Sequence, residues 1–186
     1  MTPIDALKAD MYRAQRRFSW GGAIALAARN RNFRVLFTLR MAQAGGLIGP
    51  FWRLAHRFAT GSAGMDLPWA ADLGAGIAIP HGWAIVVNAG ARVGNNVTLF
   101  HGVTLGRKDS ISADGQRETG FPIIEDEVWI GPHAIIVGAV TVGRGSIIAG
   151  GALVTRDVPP RSIVMGNPGQ VVRSDCVPDV MNPAPL

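Results

Sequence analysis

A solenoid of short β-strands behind a small α-helical head is the fold class the sequence predicts, and three observations predict it. Aliphatic residues recur every six positions through the body of the chain. Small or β-branched residues stand four positions after them. Glycine is abundant, 24 of 186 residues, while charged residues make up only 17%. A coiled coil or a disordered chain would be charge-rich and glycine-poor or aliphatic-poor, so both are excluded. The single cysteine, Cys176, rules out a disulfide framework and points to a cytoplasmic protein. The longer apolar runs, such as Trp20 to Ala28, fall far short of the roughly 18 residues a membrane span needs. The N-terminus carries Asp5, Lys8 and Asp10 rather than the pattern of a signal peptide.

The head covers residues 1–62. Leu36, Leu39, Ala42, Leu47, Phe51, Leu54 and Phe58 recur at helical intervals, and Gly45, Gly46, Gly49 and Pro50 interrupt them, which predicts short helices through residue 58. The small-residue stretch 60–65 places the boundary near residue 62. Residues 1–66 hold ten basic and three acidic side chains, a charge of +7, and the remainder carries −2. A basic head suits an anionic membrane surface, a nucleic acid or a solvated helix face. No nucleic-acid signature is present, so nucleic acid is not expected. Peripheral contact with an anionic inner-membrane face stays open beside the solvated face.

The body, residues 63–173, carries the repeat. Leu67, Leu73, Ile79 and Ile85 are followed by Val87, Val93, Leu99 and Leu105, then by Ile124, Ile130, Ile136, Val142, Ile148 and Val154. Four positions after each of the last series stand Val128, Ala134, Val140, Ser146, Ala152 and Val158. A helix cannot use a period of six, whereas short strands joined by tight turns can point every aliphatic residue into a shared core. Two breaks interrupt the period. One is a two-residue surplus between Ile85 and Val93, assigned to Asn88–Gly90. The other is the polar stretch 107–121, which predicts a protruding loop returning at Pro122. The tail, 174–186, has no repeat and is expected to be mobile or draped over a neighbour.

Chemistry near neutral pH favours histidine. Of four histidines, His56 lies in the head and reads as a surface or packing residue. His81 and His101 are 20 apart, one coil of about 18 plus the surplus, which predicts the same position on adjacent coils. A stacked pair beside a loop is a site candidate; a polar ladder without chemistry is the plain alternative.

Ile79-Pro80-His81-Gly82-Trp83-Ala84-Ile85-Val86-Val87 and Val97-Thr98-Leu99-Phe100-His101-Gly102-Val103-Thr104-Leu105-Gly106 resemble the histidine segments of the hexapeptide-repeat acyltransferases. Within that family they resemble serine acetyltransferases, and still more the colanic-acid and exopolysaccharide O-acetyltransferases. The resemblance implies a left-handed parallel β-helix, acetyl-CoA as co-substrate and a homotrimer with active sites between subunits. It implies His81 as general base, with His101 the second choice for that role, and Asp66, 15 residues before His81, as the orienting partner; His101 is the first choice for an acceptor contact or second donor. Trp83 and Phe121 are expected at the acceptor. Gly106, Pro132, His133 and Gly150 are expected along the pantetheine route, with Thr155, Arg156 and Arg173 near the nucleotide. Pro80, Gly120 and Phe121 replace the Asp, Arg and His with which serine acetyltransferases hold their acceptor, so a carbohydrate hydroxyl ranks first and serine second. No metal is predicted. A histidine-metal enzyme of carbonic-anhydrase type, with His133 as third ligand, and a trimeric binding scaffold stand as readings of other classes.

Overall fold

The computed structural model describes residues 1–179. Four helices form the head: α1 (Pro3–Gln15), α2 (Trp20–Arg29), α3 (Arg31–Ala44) and α4 (Gly49–Ser62). Their starts are set by side chains that take up orphan N–H groups. Thr2 and Asp5 form a reciprocal capping box on α1, Ser19 caps α2, and Asn30 accepts from the Asn32 and Phe33 amides of α3. Gly45 and Gly46, both left-handed (φ 68° and 75°), break α3 from α4. Leu36, Leu39 and Ala42 of the helical repeat are buried, but Leu47, Phe51, Leu54 and Phe58 point outward. No helix is long and apolar enough to cross a membrane among the described residues.

The body is a parallel β-helix with three faces, which agrees with the period of six. Face 1 stacks Asp72–Leu73, Arg92–Val93, Ile123–Ile124 and Thr141–Val142. Face 2 stacks Val86–Val87, Thr104–Gly106, Ile135–Val137 and Leu153–Val154. Face 3 stacks Thr98–Leu99, Trp129–Ile130, Ile147–Ile148 and Ile163–Met165, and is closed by the antiparallel strand Gln170–Arg173. The second residue of each two-residue strand points inward. Thus Val87, Leu105, Ile136 and Val154 form one buried column, with parallel columns through Val93, Ile124 and Val142 and through Leu99, Ile130 and Ile148. Each such side chain contributes about 1.5 to 3 kcal/mol by leaving water.

Three expectations need correction. Residues 107–121 are not a plain loop: Lys108–Ile111 pairs antiparallel with Arg117–Gly120, and Thr119 donates to Asp109 at 2.8 Å. The ribbon is almost wholly exposed, so its strands leave no apolar alternation in the sequence. The surplus of two residues does not lie at Asn88–Gly90. Ala78 pairs with Thr98 and Val86 with Thr104, so eight steps on one coil match six on the next, and the surplus lies in the turn that holds His81. The tail, as far as residue 179, is draped over the chain's own last coil: Cys176 is buried, its N–H donating to Arg161 O at 2.8 Å. The rest of that tail, 180–186, lies outside the described residues.

Polar contacts join the head to the first coils. Asp10 and Arg40, both buried, pair at 2.9 Å; Asp10 also accepts from the Ile77 amide (2.8 Å), and Arg40 donates to Leu73 O (2.8 Å). Arg13 donates to Gly76 O and Val97 O at 2.7 and 2.9 Å. His56 is buried rather than on the surface, its Nε2–H donating to Leu67 O at 2.8 Å while Nδ1 faces the Thr38 hydroxyl at 3.1 Å. Burial pushes this imidazole below its ordinary value, so the folded state holds it neutral. The stability it contributes is therefore present above about pH 6.5 and lost as pH falls below that value. A urea midpoint that declines in that window, and declines less in His56→Gln, is the expected result.

Candidate active site

The His81 turn is the irregular turn of its corner. Backbone bonds from Gly102 N–H to Trp83 O (2.8 Å), His133 N–H to His101 O (2.9 Å) and Gly151 N–H to Pro132 O (2.8 Å) stack successive turns. They align Ala84, Gly102, His133 and Gly151, all in the left-handed region. His101 therefore stands opposite Trp83 and Pro132, not opposite His81, which corrects the expected histidine stack. The two extra residues give His81 a turn of its own, with a second left-handed residue at φ 52°. Ile85, which mimics the repeat, is fully buried at the corner position that Val103, Ala134 and Ala152 fill on the other coils.

This geometry sets the surroundings of each histidine. The His81 side chain is exposed, with its ring centroid 6.3 Å from Phe100, whose ring lies 4.8 Å from Trp129. The close histidine pair is His101 with His133, edge to face at 5.0 Å. His101 Nδ1 is buried without a hydrogen-bond partner among the described residues. A Cβ at Gly102 would collide with His133 Nδ1, and Gly102 has φ 68°. Gly102→Ala is expected to cost about 1 to 3 kcal/mol in a denaturant melt and to displace the His133 ring.

Asp66 does not form the expected dyad in the isolated subunit. Its backbone bridges Val86, and among the described residues no hydrogen bond or ion pair joins its carboxylate to His81. The exposed Asp66 lines a cavity of about 580 Å³ with Arg53, Arg57 and Trp69. Trp83 faces the head, with the Arg31 guanidinium 5.1 Å from its ring and Gly64 packed close beneath it. Gly82, next to His81, is pressed against Ile79, Met65 and Asn32, which fixes the turn on the head. Phe121 packs on Gly90 at a different corner, beyond the Val86–Val87 strand, so one subunit does not bring it to His81.

The expected donor residues fall along the two margins of face 2. Pro132, His133 and Gly150 share the turn that precedes it, beside the acceptor candidate His101, while Gly106, opposite Val137, and Thr155, the residue after Val154, lie at the end that follows it. Thr155 and Arg156 line a cleft of about 240 Å³ with Gln170. Arg173 is not around that cleft; it is exposed on the closing strand, paired with Ile163. Phe100, Trp129 and Gln170 were not among the expected site residues. Phe100 is adjacent to His101 in sequence, but nothing in the period marks Trp129. No three His, Cys, Asp or Glu side chains gather in a metal-holding group among the described residues.

Residues 121–156 match the family described as bacterial transferase hexapeptide (six repeats). A soybean serine acetyltransferase, solved as apoenzyme, is 30% identical with a TM-score of 0.65, over 92% of this chain and 69% of that one. The chain belongs to the hexapeptide-repeat acyltransferases, within the serine acetyltransferase family. The Mycobacterium tuberculosis serine acetyltransferase is 38% identical over 120 residues, 64% of this chain and 50% of that protein. The Brucella abortus S19 enzyme, solved in complex with coenzyme A, is 26% identical with a TM-score of 0.68, over 95% of this chain and 68% of that one. The chain spans about half the length of the curated relatives it matches, or less. These relatives, all serine acetyltransferases, overturn the exopolysaccharide reading and its carbohydrate acceptor. Substitutions at Pro80, Gly120 and Phe121 alone did not justify a different acceptor class.

Proposed function

We propose that the protein is a serine O-acetyltransferase that transfers acetyl from acetyl-CoA to the L-serine hydroxyl. The likeness to serine acetyltransferases over nine-tenths of the chain carries this reading. His81 is the general base: it takes the serine Oγ proton as that oxygen attacks the thioester carbonyl. The tetrahedral oxyanion then collapses, the C–S bond breaks, and the imidazolium returns its proton to the coenzyme A thiolate. The exposed ring on an enlarged turn leaves room for an acceptor. Asp66 orients the imidazolium once substrate is bound, since hydrogen bonds of this kind are often unmade in unliganded sites. His101, with a buried unpartnered Nδ1, is the acceptor contact.

Acetyl-CoA lies along the margins of face 2, past Gly106, Pro132, His133 and Gly150, with its nucleotide near Thr155 and Arg156. Arg173 is the phosphate partner only if the closing strand faces an adjoining subunit. A left-handed winding and a homotrimer complete the reading. Val86 and Ile135, on either side of Thr104, expose 38% and 41% of their surface on the outer side of face 2, apolar area suited to subunit contact. The trimer also supplies a way for Phe121 of one subunit to reach the His81 turn of another.

Initial-rate kinetics test the reading. Thiol release from acetyl-CoA is expected to require L-serine, with intersecting double-reciprocal lines that mark a ternary complex. Parallel lines would replace direct transfer by an acyl-enzyme, and release indifferent to serine would refute the acceptor.

A further inference from the structure

We propose that the outer face of α4 is a docking surface for an anionic lipid membrane. Besides the side that packs Trp52 and Ala59 on the core, this helix carries a second apolar stripe that faces outward. Its inward side carries Gly49, His56, Ala59 and Thr60, all buried, whereas Phe51, Leu54 and Phe58 expose 62%, 55% and 70% of their surface. Leu47, just before the helix, extends the same stripe at helical spacing and is fully exposed. A soluble helix ordinarily buries such a stripe.

Charge selects the occupant. Between Asp10 and Asp66 the chain contains nine arginines and no acidic residue. Arg53 and Arg57 are exposed on α4 itself, the former stacked on Trp69 with its guanidinium 4.0 Å from the ring. A symmetric contact of this face with a second copy would bring four arginines together against only the Asp66 carboxylate that shares a cavity with each pair, an excess of positive charge that like-charge repulsion opposes. A surface of anionic headgroups over acyl chains meets both properties: arginines pair with phosphates while phenylalanine and leucine enter the interface. The proposal is independent of the acceptor and would place the enzyme at a membrane surface.

Co-sedimentation of the full chain with large unilamellar vesicles tests this. Vesicles of phosphatidylcholine and phosphatidylglycerol are expected to carry down the wild type, less so as salt rises, and phosphatidylcholine vesicles are not. Phe51→Ser/Phe58→Ser is expected to weaken partitioning about tenfold or more. Because both residues are exposed, the variant should keep its circular dichroism and its thiol-release rate. Failure of the wild type to bind anionic vesicles, equal binding to neutral ones, or undiminished binding by a folded variant would each overturn the proposal. Sedimentation equilibrium in which the wild type self-associates and the variant does not, with no vesicle binding by either, would assign the face to a second copy instead.

Discussion

His81→Ala is expected to lower turnover about 10²- to 10⁴-fold at saturating acetyl-CoA and L-serine, while the affinity for coenzyme A stays near wild type. The loss follows from the chemistry of the acceptor. A serine hydroxyl is a weak nucleophile, and the transition state needs a base positioned to receive its proton as the C–O bond forms. On the proposed reading, the enlarged turn suits His81 to that task. Its side chain projects from a two-residue insertion, whereas His101 sits inside the regular corner with its ring against His133. His101→Ala should therefore raise KM for serine more than it lowers turnover. The reverse pattern, near-normal turnover in His81→Ala and collapse in His101→Ala, would move the base to the regular corner.

Asp10→Ala is expected to destabilise the fold by about 3 to 5 kcal/mol, because it strands the buried Arg40 guanidinium without its counter-ion. For a chain of this size the loss corresponds to roughly 10 °C in melting temperature. The pair also binds the first coil through the Ile77 amide and Leu73 O. Replacing both partners, as in Asp10→Leu/Arg40→Met, would remove the charge imbalance yet leave those backbone groups unpaired, so it should recover only part of the stability. A thermal melt of the two variants separates the terms. Full recovery in the double variant would mean that the backbone contacts contribute little.

Both variants bear on how much the sequence reveals. The six-residue period is legible because every coil buries one aliphatic side chain per face, and Leu99, Ile130 and Ile148 can be read as a column before any strand is seen. The same rule misleads at Ile85, an aliphatic residue that is buried at a corner and so imitates a face position. That imitation shifts the surplus from the His81 turn to Asn88–Gly90 and produces the false stack of His81 on His101. The contact of His101 with His133 is hidden for another reason: the exposed ribbon 108–120 separates them by more than one coil in sequence while the coils remain adjacent. In α4 the spacing of Phe51, Leu54 and Phe58 identifies a helix but not which way it faces, since periodicity alone has no sign. The buried Asp10–Arg40 pair had no local signal, as its partners come from different helices.

Acceptor identity rests on relatives, because Pro80, Gly120 and Phe121 remove the charged groups that the sequence pattern would have offered to an amino acid. Incubation of the wild-type protein with acetyl-CoA and L-serine, followed by direct detection of the product by mass spectrometry, is the most direct measurement. Accumulation of O-acetyl-L-serine in step with free coenzyme A is the predicted result. Coenzyme A release without that ester, or no turnover with serine at all, would contradict it.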